Sequence, residues 1–229
     1  MGVKLEFSRR AGTYDQYNII QRQVAESLVE MVADSAPKTV CDLGCGSGTV
    51  YRKICWPLEK YVAVDFSREM CALHPAGEVV SVIQCDFNEI SCFRKVEEEG
   101  PYDRVFSSSA LQWADDLDLL LGRVVALESP VALAVFTGNT FGTLLESAGL
   151  ASPIRLPEEL DRLAMKHFGR TWSYRQYSLT FEDRLEMFRY IKKSGVSGGK
   201  RRLNFSDARR MLREYPLDSL EFEVGFLVT

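Results

Sequence analysis

Three aspartates, Asp42, Asp65 and Asp86, each follow a short apolar run, and the first leads into glycines at every second position, Val40-Cys-Asp-Leu-Gly-Cys-Gly-Ser-Gly48. Gly44, Gly46 and Gly48 remove side chains where a backbone must bend sharply and lie against a ligand. Asp65 ends Tyr61-Val-Ala-Val-Asp65, and a carboxylate there matches the two vicinal hydroxyls of a ribose. Asp86, in Cys85-Asp86-Phe87, can accept the amino group of an adenine while Phe87 packs near the ring. In Phe66-Ser67-Arg68-Glu69-Met70, Phe66 and Met70 offer apolar surface to the same base and Ser67 is placed to cap a helix. A dinucleotide turn, G-x-G-x-x-G, would put its third glycine at Thr49, whereas here it is Gly48, one residue earlier.

Taken singly, these residues have ordinary uses as well. Asp65 and Asp86 suit strand-end turns, and Phe66, Met70 and Phe87 suit core packing. Their positions relative to the glycine turn single them out. The hhDhGxGxG form, with D-x-S-x-x-M after the second strand, resembles motif I and its neighbours in class I S-adenosylmethionine (SAM) methyltransferases. The resemblance implies SAM as methyl donor, S-adenosylhomocysteine (SAH) as product, and no metal. It places Asp42, Gly44, Cys45, Gly46, Gly48, Asp65, Phe66, Ser67, Met70, Asp86, Phe87 and Ser107 at the cofactor, and Tyr14, Tyr17 and Gln21 of the N-terminal segment complete the candidate set. Cys45 would serve only through its backbone.

These residues need elements to hold them. Residues 14–34 have a helical pattern with Ile20, Val24, Leu28, Met31 and Val32 on one face. Strands follow at 61–65, 79–84, 102–107 and 131–137, alternating with helical stretches, the first of them Thr49–Leu58. Segment 138–171 is too long for a simple crossover and holds two helical patterns, Thr143–Ala148 and Pro157–His167, placed to help cover the site. A strand at 173–180, an amphipathic helix at 181–194 and a last strand at 221–228 complete the chain. The expectation is one α/β domain over 1–229, Rossmann-like. It has a seven-stranded, mostly parallel sheet with the last strand antiparallel, helices on both faces, an N-terminal helical cap (1–37) and a helical insertion (138–171).

A narrower resemblance extends over most of the chain. Phe7-Ser-Arg-Arg-Ala-Gly-Thr-Tyr14, followed by Gln21-Arg22-Gln23, is similar to the F-x-R-x-A-x-x-Y…Q-R-Q start of the malonyl-acyl-carrier-protein O-methyltransferases of biotin synthesis. Ser107-Ser-Ser-Ala-Leu-Gln112-Trp113 resembles that family's S-N-x-A-x-Q-W loop. Phe188–Val196 resembles its M-R-x-L-K-x-x-G-A helix end, and Tyr215-Pro216-Leu217 its Y-P-L-T-Y hairpin. Ser108 departs from the pattern's asparagine, and Glu128-Ser129-Pro130 replaces its Gly-Gly turn. The resemblance implies methylation of the free carboxyl of a malonyl thioester on acyl carrier protein. A carboxyl methyltransferase for a free small acid such as trans-aconitate, or a SAM-binding assembly protein without transferase activity, are the alternatives.

Such chemistry asks little of the protein. A carboxylate is already a nucleophile at pH 7, so alignment and desolvation of the attacking oxygen suffice. Gln112 can donate its amide to one carboxylate oxygen, the Trp113 indole N–H is a second donor, and Tyr14 and Tyr17 can close over the cofactor. Arg189 is the candidate for pairing with the malonyl carboxylate, its ordinary alternative being a solvated helix residue.

Composition narrows the setting. The chain has 229 residues, 46% hydrophobic and 26% charged, enough for one large core. No apolar run approaches membrane-spanning length and Met1–Arg10 shows no secretory h-region, so a cytoplasmic enzyme is expected. The six cysteines include no C-x-x-C pair, so neither zinc nor disulfides are expected. Net charge is −4, yet Lys192, Lys193, Lys200, Arg201, Arg202, Arg209, Arg210 and Arg213 face a single acid, Asp207, within one stretch. That stretch would steer an acidic carrier protein, or is solvated surface. It lacks the interleaved aromatics expected for nucleic acid.

Overall fold

The run Val131-Ala-Leu-Ala-Val-Phe136 is apolar throughout, and in the computed structural model every one of its residues is buried. Such a strand must be covered on both faces, which is the signature of a parallel sheet between helical layers. The structure describes residues 18–194 and 215–229. Its strands are β1 (Thr39–Leu43), β2 (Lys60–Asp65), β3 (Val80–Gln84), β4 (Arg104–Ser108), β5 (Val131–Phe136), β6 (Ser173–Thr180) and β7 (Ser219–Val228). They form one sheet in the order β3-β2-β1-β4-β5-β7-β6. β1 to β5 pair in parallel and β7 is antiparallel to its neighbours, as expected from the sequence, and β7 lies between β5 and β6.

The helices are α1 (Ile19–Glu30), α2 (Arg68–Leu73), α3 (Ile90–Glu99), α4 (Leu117–Val125), α5 (Gly142–Ala148), α6 (Pro157–Phe168) and α7 (Arg184–Ser194). Adjacent strand residues point to opposite faces, so the core divides in two. On one side Ile20, Val24 and Leu28 of α1 pack with Val40, Phe106 and Ala134, and Met187 and Tyr190 of α7 with Phe222. On the other, Phe93 of α3, Leu120 of α4 and Leu160 of α6 pack with Leu43, Val105 and Val135. The helix expected from residue 14 is described from Ile19 onward; residues 14–17 lie outside the described residues.

Strand order reverses at β1, with β2 and β3 on one side and β4 on the other. A reversal of this kind opens a crevice at the carboxyl ends of the two diverging strands, here just past Leu43 and Ser108. The insertion is tied back to this edge by the Gly138 N–H donating to the Arg155 carbonyl at 2.6 Å. Beside it, the buried Glu223 carboxylate of β7 accepts from Thr137 Oγ1 (2.6 Å), Asn139 Nδ2 (2.8 Å) and Gln176 Nε2 (2.6 Å). A buried charge so fully hydrogen-bonded holds the loop after β5 in one place.

Two expectations fail. Thr49–Leu58 is not an α-helix: it holds a short 3₁₀ turn, Tyr51–Lys53, that ends at an extended Ile54. Pro57 disfavours helical backbone at Trp56. The crossover is held instead by side chains, with Arg52 donating to the Ser47 carbonyl and Trp56 Nε1 to the Pro37 carbonyl at 2.8 Å. The second concerns the cysteines. Cys85 and Cys92 form a disulfide with their Cα atoms 5.4 Å apart. Cys85 follows β3 and Cys92 lies in the first turn of α3, so the loop between them doubles back and brings the sulfurs together.

Candidate active site

The glycine turn occupies the crevice. Gly44 has φ +77°, and a Cβ there would lie 2.3 Å from the Ala110 Cβ and 3.6 Å from Phe87. The turn therefore abuts both the loop after β4 and the loop after β3. Gly48, at φ +89°, is closed on its far side by Pro75 and His74, which would lie 2.6 and 2.9 Å from an added Cβ. The Gly44 and Cys45 N–H groups both donate to the Val64 carbonyl, at 2.8 and 3.0 Å, which fixes the turn to β2. Burial pushes the Cys45 thiol well above its ordinary range, so it is no nucleophile at neutral pH.

Asp65 is a clamp. One carboxylate oxygen accepts the Gly46 N–H at 2.9 Å and the other the Ser67 N–H at 2.8 Å, joining the glycine turn to the start of α2. Burial raises its pKa, and the two N–H groups act in the opposite direction. A carboxylate has about four lone pairs, so acceptor capacity remains for a ligand's hydroxyl. Ser67 caps α2 as the sequence suggests, its hydroxyl accepting from the Met70 N–H at 3.2 Å, with Met70 buried and Phe66 half-buried. Asp86 Oδ1 accepts from both the backbone N–H (3.0 Å) and the side-chain amide (2.9 Å) of Asn88.

Three placements differ from the simplest reading. Ser107 spends its hydroxyl on the Leu43 carbonyl at 2.6 Å, stitching β4 to β1. Arg189 is exposed on α7. Gln112, on a 3₁₀ turn with Trp113, is buried, and its Nε2 already donates to the Ser109 carbonyl at 2.8 Å, leaving one N–H. Tyr14, Tyr17, Lys200, Arg201, Arg202, Arg209, Arg210 and Arg213 lie outside the described residues, as do the side chains of Lys192 and Lys193. Gln21 is buried with its Oε1 unpartnered among the described residues.

Sequence reasoning passed over two residues. Asn88 accepts the Asp115 N–H at 2.9 Å through its side chain and Arg123 Nη1 at 2.9 Å through its carbonyl, coupling the β3 and β4 loops. His74, buried beside Tyr51 and Tyr61, closes the back of Gly48, and burial lowers its pKa. Neither has a signal in an isolated sequence, since each acts through a fold-dependent approach.

Asp42 is fully enclosed on the α1 side of β1. Its Oδ2 accepts from Tyr61 Oη at 2.7 Å, while Oδ1 has no partner among the described residues. Burial pushes its pKa from 3.8 up to about 7, against the pull of the Tyr61 hydrogen bond. The folded state therefore holds a proton that the unfolded chain releases near pH 4. Stability from this group is fully present below the unfolded pKa and is lost as pH rises through 7. Global stability of the wild type should fall by roughly 2–3 kcal/mol more than that of Asp42→Asn between about pH 5 and pH 8. Urea melts at the two pH values measure this, and parallel pH profiles for the two proteins would refute it.

Gly46 has nothing within 4 Å of an added Cβ, so the turn faces open space beside Asp65. With the unpartnered acceptor of Gln21, this suits a ligand carrying a ribose and several N–H donors. A switch-point crevice with a glycine turn on one strand and a ribose-matching acid on the next is the arrangement of the class I SAM-dependent methyltransferases. Residues 40–129 match the family described as a methyltransferase domain. Among solved structures, YcgJ from Bacillus subtilis superposes with a TM-score of 0.58 at 11% identity, covering 87% of this chain and 96% of that one. The magnesium protoporphyrin IX methyltransferase of Synechocystis PCC 6803, bound to SAH, gives 0.51 at 15% identity, over 90% and 82%.

Curated relatives are more specific. A malonyl-[acyl-carrier protein] O-methyltransferase of Chlorobium luteolum is 30% identical over 217 residues, covering 85% of this chain and 78% of the relative. One from Bacteroides thetaiotaomicron is 28% identical over 84% of this chain and 76% of its own length. The chain belongs to the malonyl-[acyl-carrier protein] O-methyltransferase family, and it is a SAM-dependent O-methyltransferase. Among the described residues no helix is long and apolar enough to cross a membrane, and no group of His, Cys, Asp and Glu could hold a metal ion.

Proposed function

We propose that the protein methylates the free carboxyl of a malonyl thioester on acyl carrier protein, giving the methyl ester that starts pimeloyl formation in biotin synthesis. The observation that carries this is likeness over most of the chain to relatives bearing that name, the Chlorobium luteolum enzyme among them. SAM would supply an electrophilic methyl group on a sulfonium. Asp65 would hold its ribose, and Asp86 and Phe87 its adenine. Gly44, Gly46 and Gly48 admit its amino-acid end, with Gln21, Tyr14 and Tyr17 covering from the 1–37 cap.

An acceptor oxygen forms the new O–CH₃ bond as the S–CH₃ pair returns to sulfur. Carboxylate and sulfonium charges cancel, and no proton moves. The chain therefore needs no general base. Gln112 orients the acceptor through its remaining N–H, and Trp113 excludes water and offers its indole donor. Segment 138–171 covers the acceptor side. Arg189 joins the basic stretch from Lys192 to Arg213 as a steering surface for an acidic carrier, acting on encounter more than on the chemical step.

The test is mass spectrometry after incubation with SAM and, in turn, malonyl-acyl carrier protein, malonyl-coenzyme A and trans-aconitate. One methyl on the malonyl carrier protein, added faster than on either other acid, is the expected result. Methylation of trans-aconitate alone would move the enzyme to the small-acid alternative.

A further inference from the structure

At the end of β4 the chain leaves several polar groups unsatisfied. Ser108 Oγ, Ser109 Oγ and Gln112 Oε1 are all buried without a hydrogen-bond partner among the described residues. Buried hydroxyls of this kind are uncommon unless something else completes them. Ser109 also has φ +57°, a left-handed backbone that serine rarely adopts. It is held there from two sides, its N–H donating to the Ala134 carbonyl at 2.8 Å and its own carbonyl accepting from Gln112 Nε2 at 2.8 Å. Over-determined strain of this sort gathers at functional sites. The site is also next to the glycine turn, since an added Cβ on Gly44 would sit 2.3 Å from Ala110, the following residue.

A groove of about 780 Å³ opens beside Gln112 and Trp113. Its charges are Asp115, Glu158, Glu159 and Arg155. The Arg155 guanidinium is already engaged, by Glu159 at 3.2 Å and by the Ala114 carbonyl at 3.3 Å. Among the described groove residues no unengaged cation waits for an acid. The two unpartnered hydroxyls stand one contact behind this groove, since Gln112 on its wall donates to the Ser109 carbonyl.

We infer that the acceptor carboxylate is held by the neutral hydroxyls of Ser108 and Ser109, with Gln112 locking the Ser109 peptide, and not by a cation. The inference rests on the carboxyl-methyltransferase reading above and deepens it. The chemistry favours such a cradle. A guanidinium would withdraw charge from the oxygen that must attack, whereas hydroxyl donors fix its position and leave most of the charge on it. Each serine donates one hydrogen bond and takes no proton, so both are positioning groups.

The test compares Ser108→Ala, Ser109→Gly and the double variant with wild type. Glycine suits the left-handed backbone at 109, so that change removes the hydroxyl and relieves the strain together. The double variant should lose about 30- to 100-fold in kcat/KM for malonyl-acyl carrier protein. By calorimetry its SAH complex should bind the malonyl carrier protein about tenfold more weakly, while SAH affinity stays within about twofold of wild type. Ser108→Thr, which keeps a hydroxyl, should restore most of the loss at 108. Arg189→Ala should change kcat/KM less than the double variant. Serine variants indistinguishable from wild type, or a larger loss in Arg189→Ala, would overturn the inference while the carboxyl reading stands. Wild-type enzyme that methylates none of the three acids would overturn that reading, and this inference with it.

Discussion

Gly44→Ala should abolish cofactor binding and destabilise the fold. The added methyl would lie 2.3 Å from the Ala110 Cβ at a backbone angle of +77°, so overpacking and left-handed strain act together. Their sum is about 3 kcal/mol. The turn cannot relax by sliding, because the Gly44 and Cys45 N–H groups share the Val64 carbonyl. Ala110→Gly in the same chain removes the steric part and leaves the backbone part. The double variant should therefore regain some stability and some SAH affinity, without reaching wild type. Thermal melts and SAH calorimetry on the three proteins decide it. Wild-type SAH affinity in Gly44→Ala would mean that the turn does not face the cofactor.

Asp65→Asn should weaken SAH binding by about 100-fold, through loss of charge-assisted hydrogen bonds worth about 1.5–3 kcal/mol each. The carboxylate accepts the Gly46 and Ser67 N–H groups on separate oxygens. An asparagine has one oxygen, so its NH₂ must face an N–H donor on one side. The substitution both loosens the glycine turn from α2 and removes acceptor capacity for the ribose. Asp65→Glu keeps two oxygens on a longer stem and should recover part of the affinity. Affinity of Asp65→Asn within about threefold of wild type would remove Asp65 from the ribose site.

Much of this was open to reading in one dimension because the site is built at strand ends. An apolar run followed by an acid marks where a buried strand leaves the sheet, and Asp65 and Ser67 stand where that pattern puts them. What a side chain does after arrival was not readable. Ser107 reaches the crevice edge yet turns its hydroxyl to Leu43. Asp42 lies one residue before the end of β1 and is sealed in under α1, whereas Asp65 is the last residue of β2 and reaches the glycine turn. The helix expected after Gly48 failed on Pro57, a local signal outweighed by the general alternation of strands and helices. The pairing of Cys85 with Cys92 depends on a loop that doubles back, which spacing alone does not reveal. Asn88 and the strained Ser109 became visible only through their hydrogen bonds and backbone angles.

The short 3₁₀ turn between Gly48 and β2 has an electrostatic consequence. An α-helix starting at a glycine turn would bring a macrodipole, about half a positive charge at its N-terminus, to the anionic end of whatever lies there. With a single short helical turn there, Tyr51–Lys53 with the Arg52 N–H bonded back to the Gly48 carbonyl, that field is small. A cofactor carboxylate in this crevice would be answered by individual N–H groups and side-chain donors at short range. Attraction of that kind depends on contact geometry more than on distance, so the enzyme would grip the donor only when the turn is fully shaped around it.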